Sequence, residues 1–388
     1  MPALFSRLSR PSASSSARRR AGIRSVAAAI GLAVTLPLLA SCSAPAAEAR
    51  EIGGTLDEII VLAQAEGMVQ LIAYPETWAN YGESFAGFEA KYGVKVEVAS
   101  PNASSGEELS AVKNLKGQST QPDVLDIGYS FTQPAIDQDL LDIYVPTQIA
   151  EVPDGLKDPE GYWVGAYYGV LSIGVNADEV DVPASFADLK DPQYKGKITI
   201  SDPRDGASSL ATVFAAALAN GGSLDNIQPG IDYFADLAAG GYLVNSVSNA
   251  AALSTGEAAV TFDWNYNYSG LEAEMTQSAV DLQVLVPGDG VFGNYYAQPI
   301  TNDSPQPNAA RLWVEWLLSD EGAISYAKSG AVPARYAAMD AAGTLPQEAR
   351  DALPSADILA QIKFPTLDQA AAATELIVDQ WGARVAGQ

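Results

Sequence analysis

The sequence predicts an α/β protein in which short strands alternate with amphipathic helices, its sheets mixed but mostly parallel. Three observations lead there. Between Thr55 and Gly128 the apolar spacing switches repeatedly between period two and period 3.6, the signature of βαβ units. The same alternation resumes from Leu171 onward. With 388 residues the chain is long enough to bury two cores.

Each element follows from local chemistry. Thr55 and Glu58 stand at capping-box spacing, and Leu56, Ile59, Ile60 and Ala63 share a helical face that Gly67 ends. Residues 68–74 read as a strand. Residues 83–92 read as a helix with Phe85, Phe88 and Tyr92 inward and Gly93 as its stop. Residues 94–99 are a β-branched strand, Ser105 with Glu108 opens a capped helix carrying Leu109, Val112 and Leu115, and residues 123–128 form the next strand. Beyond Leu171, strands are expected at 171–175, 197–200, 258–262 and 282–286. A helix over 208–220 carries Leu210, Val213, Phe214, Ala217 and Leu218 on one side and ends at Gly221-Gly222. Pro229 starts another that Gly240-Gly241 ends. Asn308 is expected to cap a long helix through Trp313, Trp316 and Leu317, and the last forty residues read as two helices split by Phe364-Pro365.

The first fifty residues carry an export signature. Arg7, Arg10, Arg18, Arg19, Arg20 and Arg24 precede the first acidic residue, Glu48. An apolar stretch from Val26 to Leu39 follows, interrupted by Pro37 and shorter than the roughly twenty residues a spanning helix needs. The small pair Ala40-Ser41 then precedes Cys42, the only cysteine of the chain. Residues 1–41 therefore read as a secretory signal. The run Leu39-Ala40-Ser41-Cys42 resembles the lipobox of bacterial lipoproteins, which implies that Cys42 is lipidated and becomes the mature N-terminus. Residues 42–54, rich in Ala, Ser, Pro and Gly, read as a flexible tether.

Charge and composition exclude several functions. Removing those six arginines from 22 basic residues leaves 16 against 47 acidic ones, a net charge of −31. Such a surface repels nucleic-acid phosphates and anionic lipid. Histidine is absent, which removes the commonest metal ligand and every Ser-His or Cys-His arrangement. There is no GxSxG elbow, no GxGxxG fingerprint and no phosphate-binding GxxxxGK. Ser110-Ala-Val-Lys113 and Ser325-Tyr-Ala-Lys328 match the SxxK of penicillin-binding proteins, but the companion KTG element is missing. Asp263, Asn265, Asn267 and Glu274 occupy EF-hand spacing, yet Tyr268 stands where that loop needs glycine. No catalytic residue, metal centre or cofactor is expected; a secreted lipoprotein hydrolase is the rival from another class.

The informative feature is a set of aromatic residues in presumed strand-end loops, where open α/β sheets bind ligands. They include Trp78 and Tyr81, Tyr129, Trp163 with Tyr167 and Tyr168, Trp264 with Tyr266 and Tyr268, and Tyr295 with Tyr296. Ser208 and Ser209 follow Gly206 at a helix start, where free N–H groups hold an anion or the hydroxyls simply cap the helix.

Several runs taken in order resemble the extracellular solute-binding proteins of ABC importers, nearest the spermidine/putrescine- and ferric-ion-binding branches. They are Gly165-Ala-Tyr-Tyr-Gly-Val-Leu-Ser-Ile-Gly-Val-Asn176, Pro183-Ala-Ser-Phe-Ala-Asp-Leu189, Asp191-Pro-Gln-Tyr-Lys-Gly196, Gly256-Glu-Ala-Ala-Val260, the run from Ala309 to Ser319, and Val332-Pro-Ala-Arg335. The resemblance implies a type II periplasmic-binding-protein fold. Residues 55–170 with 291–345 would form lobe 1, and 171–290 with 346–388 lobe 2, joined by crossings near 168–172 and 286–292 and closing by hinge motion. It implies a small-molecule ligand, a permease partner, no nucleic acid, a monomer, and a site outside the cytoplasm anchored through lipid on Cys42. Implied ligand contacts are Trp78, Tyr81, Asp202, Asp205 and Trp264, with Tyr129, Ser130, Tyr168, Ser208, Asp263, Tyr266 and Tyr295 completing the candidate set. The Trp-x-Asp of the polyamine branch reads Gly293-Asn-Tyr295 here, and the adjacent tyrosine pair of the ferric branch reads Tyr266-Asn-Tyr268. Aromatic faces with Glu76, Asp202, Asp205 and Asp263 suit an organic amine. Ser130, Arg204, Ser208 and Ser209 suit an anion, and an aminophosphonate would use both.

Overall fold

A computed structural model describes residues 51–387 apart from 246, 247, 249 and 363. The expected signal peptide, Cys42 and most of the tether lie outside the described residues. The end of the tether is described, and it is fixed rather than loose. The Asn308 side chain accepts from Gly53 N at 2.9 Å and donates to the Glu51 carbonyl at 2.9 Å. Asn308 is therefore not the cap of its helix, Pro307–Leu318, which starts after Gln306.

Helix Leu56–Glu66 begins with the Thr55–Glu58 capping box and ends on left-handed Gly67. Strand β1 (Met68–Ile72) pairs in parallel with β2 (Lys95–Ala99) on one side and β3 (Val124–Leu125) on the other. Helix Tyr81–Tyr92 connects β1 to β2 and helix Ser105–Leu115 connects β2 to β3. The second helix starts one residue earlier than its sequence pattern implies: Ser104 caps and Glu107 reaches back, which releases Ser105 and Glu108. The strand expected over 123–128 is split at Asp126. Beyond it, β4 (Ile127–Gly128) leaves the first sheet and pairs antiparallel with β8 (Gly293–Ala297).

The second sheet is organised by one long strand, β5 (Gly165–Asn176). Its first half pairs with β8 and β9 (Val332–Pro333), its second half with β6 (Val260–Trp264) and β7 (Leu282–Leu285). All these pairings are antiparallel. Parallel contacts in this region are isolated bridges from Ile198 to Leu243 and Val260, so residues 197–200 form no full strand. Hence the three-stranded sheet is parallel as expected, while every pairing in the six-stranded one is antiparallel, although helices lie between β5 and β6 and between β6 and β7.

Two aromatic centres stand out within one continuous hydrophobic core. Phe88 meets Trp313 edge-on at 5.2 Å, with Tyr74, Tyr81 and Phe85 around it. Phe186 stacks on Phe262 at 5.8 Å, and Phe234 packs on Phe262 and Trp381. Each fully buried ring contributes roughly 1.5–3 kcal/mol of transfer free energy. The tail holds helices Gln347–Ala352, Ala356–Leu359 and Leu367–Arg384, one more than expected, with Pro365 ahead of the last.

Candidate solute-binding cleft

A cleft of about 940 Å³ opens between the two helices that start at Ser105 and Ala207. Both direct their N-termini at it. Helix Ser105–Leu115 is closed by its own capping box, and the Ser105 hydroxyl accepts from Gly128 N at 3.0 Å. Helix Ala207–Ala219 has Gly206 before it and no side-chain cap. Its first N–H groups therefore face the cleft without the partner that a capping side chain would give. The two helix starts approach at Gly128, where an added Cβ would lie under 3.0 Å from the Ala207 Cβ.

The floor is acidic. Asp126, at the break between β3 and β4, is 1 % exposed and accepts from Tyr81 Oη at 3.1 Å, Tyr167 Oη at 3.3 Å and Gln298 Nε2. Gln298 is held in turn by the Tyr74 hydroxyl. Burial pushes the Asp126 carboxyl up to about 7 despite those donors. Glu108, also 1 % exposed, accepts from Asp126 N at 2.9 Å through Oε2. Its pKa is raised by burial and then by the neighbouring Asp126 charge. Trp78 and Tyr296 form an aromatic corner, ring centroids 5.3 Å apart, on the wall of the cleft. On the opposite side are Asp202, Asp205, Ser208 and Ser209. The Arg204 guanidinium holds Asp202 below the usual carboxylate range, with Nε to Oδ1 at 2.9 Å.

Of the candidates named from sequence, the structure brings Trp78, Asp202, Asp205 and Ser208 together on the cleft. The others lie elsewhere. Trp264 is 1 % exposed and stands behind Tyr296, donating to its hydroxyl at 3.5 Å. Tyr81 is buried beneath Asp126, and Tyr266 packs edge-on against Tyr167 at 5.4 Å. Tyr129 and Tyr295 pack on each other and on Trp163, and Tyr168 packs on Phe364. Ser130 sits in the turn Tyr129–Phe131, away from the lining. Asp263 accepts from Trp264 N and Asn267 Nδ2, so it orders the start of helix Asn265–Gln277. That helix also replaces the loop an EF-hand needs.

The sequence reading named Tyr296 among the aromatic strand-end residues but missed Glu107, Glu108 and Asp126 as cleft residues. A signal existed for Asp126: it interrupts an otherwise apolar run, Val124-Leu125-Asp126-Ile127. The SxxK motifs dissolve in three dimensions. Ser110 donates to the Gly106 carbonyl while Lys113 reaches Gln138, and Ser325 donates to the Gly322 carbonyl while Lys328 pairs with Glu83. Among the described residues no three Asp, Glu, His or Cys side chains are grouped to hold a metal ion. No helix of the described residues is long and apolar enough to cross a membrane.

Residues 119–362 match the family of bacterial extracellular solute-binding proteins. The chain belongs to this family. Its members bind small solutes and work with the permease subunits of ABC transporters. A curated relative, an uncharacterised protein of Haemophilus influenzae, is 27 % identical over 249 residues, 61 % of this solute-binding protein and 68 % of the relative. Among solved structures, AfuA of Actinobacillus pleuropneumoniae, with fructose-6-phosphate bound, has a TM-score of 0.64 at 20 % identity, covering 82 % of this chain and 98 % of AfuA. Iron-bound HitA of Pseudomonas aeruginosa has a TM-score of 0.61 at 21 % identity, covering 80 % and 98 %. A Listeria monocytogenes protein assigned to a spermidine/putrescine ABC transporter has a TM-score of 0.61 at 16 % identity, covering 82 % and 100 %. These likenesses establish the fold of this solute-binding protein as the two-lobed type II periplasmic-binding-protein fold.

Proposed function

We propose that this protein captures a small organic solute bearing an ammonium group and presents it to an ABC importer permease, without chemical change to the solute. One observation carries the reading. Among the described residues lining the cleft, every charged side chain is a carboxylate: Glu107, Glu108, Asp126, Asp202 and Asp205. An ammonium would find hydrogen-bonding acceptors there, with the Trp78 and Tyr296 rings for its alkyl or cationic part. Lobe 1 comprises residues 55–170 and those from 291, lobe 2 residues 171–290 and the C-terminal helix. The contact of helix Gln347–Ala352 with Asp320–Ala327 supports a crossover to lobe 2 after residue 352 in place of the expected 346. Lipid on Cys42 holds the monomer at the outer face of the cytoplasmic membrane.

A second reading has its own support. The uncapped start of helix Ala207–Ala219 suits a phosphate or phosphonate, and fructose-6-phosphate is bound in the AfuA structure. A thermal-shift panel of putrescine, spermidine, betaine, aminophosphonates, sugar phosphates and ferric ion separates the two. Amines should raise the melting temperature by mass action. A shift with sugar phosphates alone would reject the ammonium reading.

A further inference from the structure

Glu108 and Asp126 stand out among the cleft carboxylates because both are all but fully buried and share one backbone contact, Asp126 N to Glu108 Oε2 at 2.9 Å. Glu107 serves the Ser104 cap, Asp202 is paired with Arg204, and Asp205 is exposed. The groups facing the pair are the phenols of Tyr74, Tyr81, Tyr167, Tyr266 and Tyr296 and the Gln298 amide, with Asp202, which is paired with Arg204, and Asp205 across the cleft. None of these neighbours on the floor is cationic. The Asp126 carboxylate already has three donors, whereas Glu108 Oε1 receives no hydrogen bond from the described residues, although its side chain lines the cleft. One oxygen of a buried carboxyl is thus left for something that enters from outside.

We infer that Glu108 and Asp126 form a proton-exchanging receptor: the empty cleft holds one proton on the pair, and an ammonium arriving at Glu108 Oε1 displaces that proton to solvent. Two adjacent buried carboxylates cannot both ionise without a counter-charge. The incoming cation supplies that charge, so one positive charge enters as one leaves, and the floor stays electrically balanced. The burial that raises both carboxyls points the same way. The inference rests on the ammonium reading and adds to it a proton count and the two residues responsible.

Calorimetric titration of the purified protein with putrescine and spermidine, near pH 8 in two buffers of different ionisation enthalpy, measures the protons released. The expected result is about one proton per amine bound, with affinity falling about tenfold per pH unit below the pair's titration. Glu108→Gln should abolish the proton release and flatten the pH dependence. Amine binding without proton release would overturn this inference alone. Failure of both amines to bind would overturn the ammonium reading together with it. Should Glu108→Gln not fold, the wild-type proton count and Asp126→Asn still decide the matter.

Discussion

Val170 and Leu171 are neighbours on β5, yet their cross-strand partners belong to different strands: Val170 stands opposite Gly293 of β8, Leu171 opposite Trp264 of β6. The strand changes sheets' partners within one peptide unit. Asn265 braces the change. Its Oδ1 accepts from Val170 N at 2.9 Å and its Nδ2 donates to the Gly330 carbonyl at 2.8 Å.

Asn265→Ala removes both bonds at this crossing and leaves a partly buried N–H without its acceptor. A loss of about 1–3 kcal/mol in urea denaturation is expected. A change within roughly 0.5 kcal/mol would show that water substitutes for the amide and that the brace is unimportant.

Gly128→Ala tests the contact between the two helix starts. Its methyl group would collide with Ala207 in the arrangement seen here. The halves should then rest further apart, with ligand affinity reduced about tenfold or more and the ligand-free melting temperature little changed. Small-angle scattering should report a larger radius; unchanged affinity would show that the contact plays no part in closure.

Trp264→Ala exchanges one expectation for another. The resemblance implied a ligand wall there, so that the fold would survive and binding would vanish. The buried position instead predicts a cost of about 3–5 kcal/mol in folding stability from the cavity left behind. A variant with wild-type melting temperature that fails only to bind ligand would restore the wall.

The buried acids set a pH trend. Asp126 titrates near 7 in the folded protein against an ordinary value of 3.8, and burial also raises Asp123 and Asp263, each to about 6. The native state therefore binds more protons than the unfolded chain between these limits, and ligand-free stability falls as pH rises from about 4 to about 7. Asp126→Asn should flatten part of that slope and stabilise the empty protein at pH 8 by a few kcal/mol. A slope unchanged by the substitution would show that Asp126 is ionised throughout.

Asp205→Ala should weaken amine binding while leaving stability within about 0.5 kcal/mol, since the residue is exposed on the cleft. Equal affinity for the variant would place the amine on the floor, away from lobe 2.

Local chemistry carried much of the architecture. Thr55 with Glu58, Gly67 and Gly93 are read correctly from sequence because capping and left-handed stops depend on a few adjacent residues. Where two local solutions compete, the sequence is ambiguous: Ser104-Ser105-Gly106-Glu107-Glu108 contains two overlapping capping boxes, and choosing the first turned Glu108 into a floor residue instead of a cap. The aromatic loops show a deeper limit. Trp78 and Trp264 have the same composition signal, but whether a ring faces the cleft or lies behind Tyr296 depends on which strands meet, a matter of long-range pairing.

By itself the sequence determined the α/β class, the order of most helices and strands, the acidic charge and the family resemblance, because each rests on near-neighbour periodicity or on motifs in a fixed order. Tertiary structure alone decided that β5 pairs with β8 and β9 through its first half and with β6 and β7 through its second, that the second sheet is antiparallel, and that Asp126 and Glu108 meet at the cleft floor. Those outcomes turn on contacts between residues far apart in the chain, such as Asp126 with Gln298, whose energies are felt only after the backbone has brought them into one dry place.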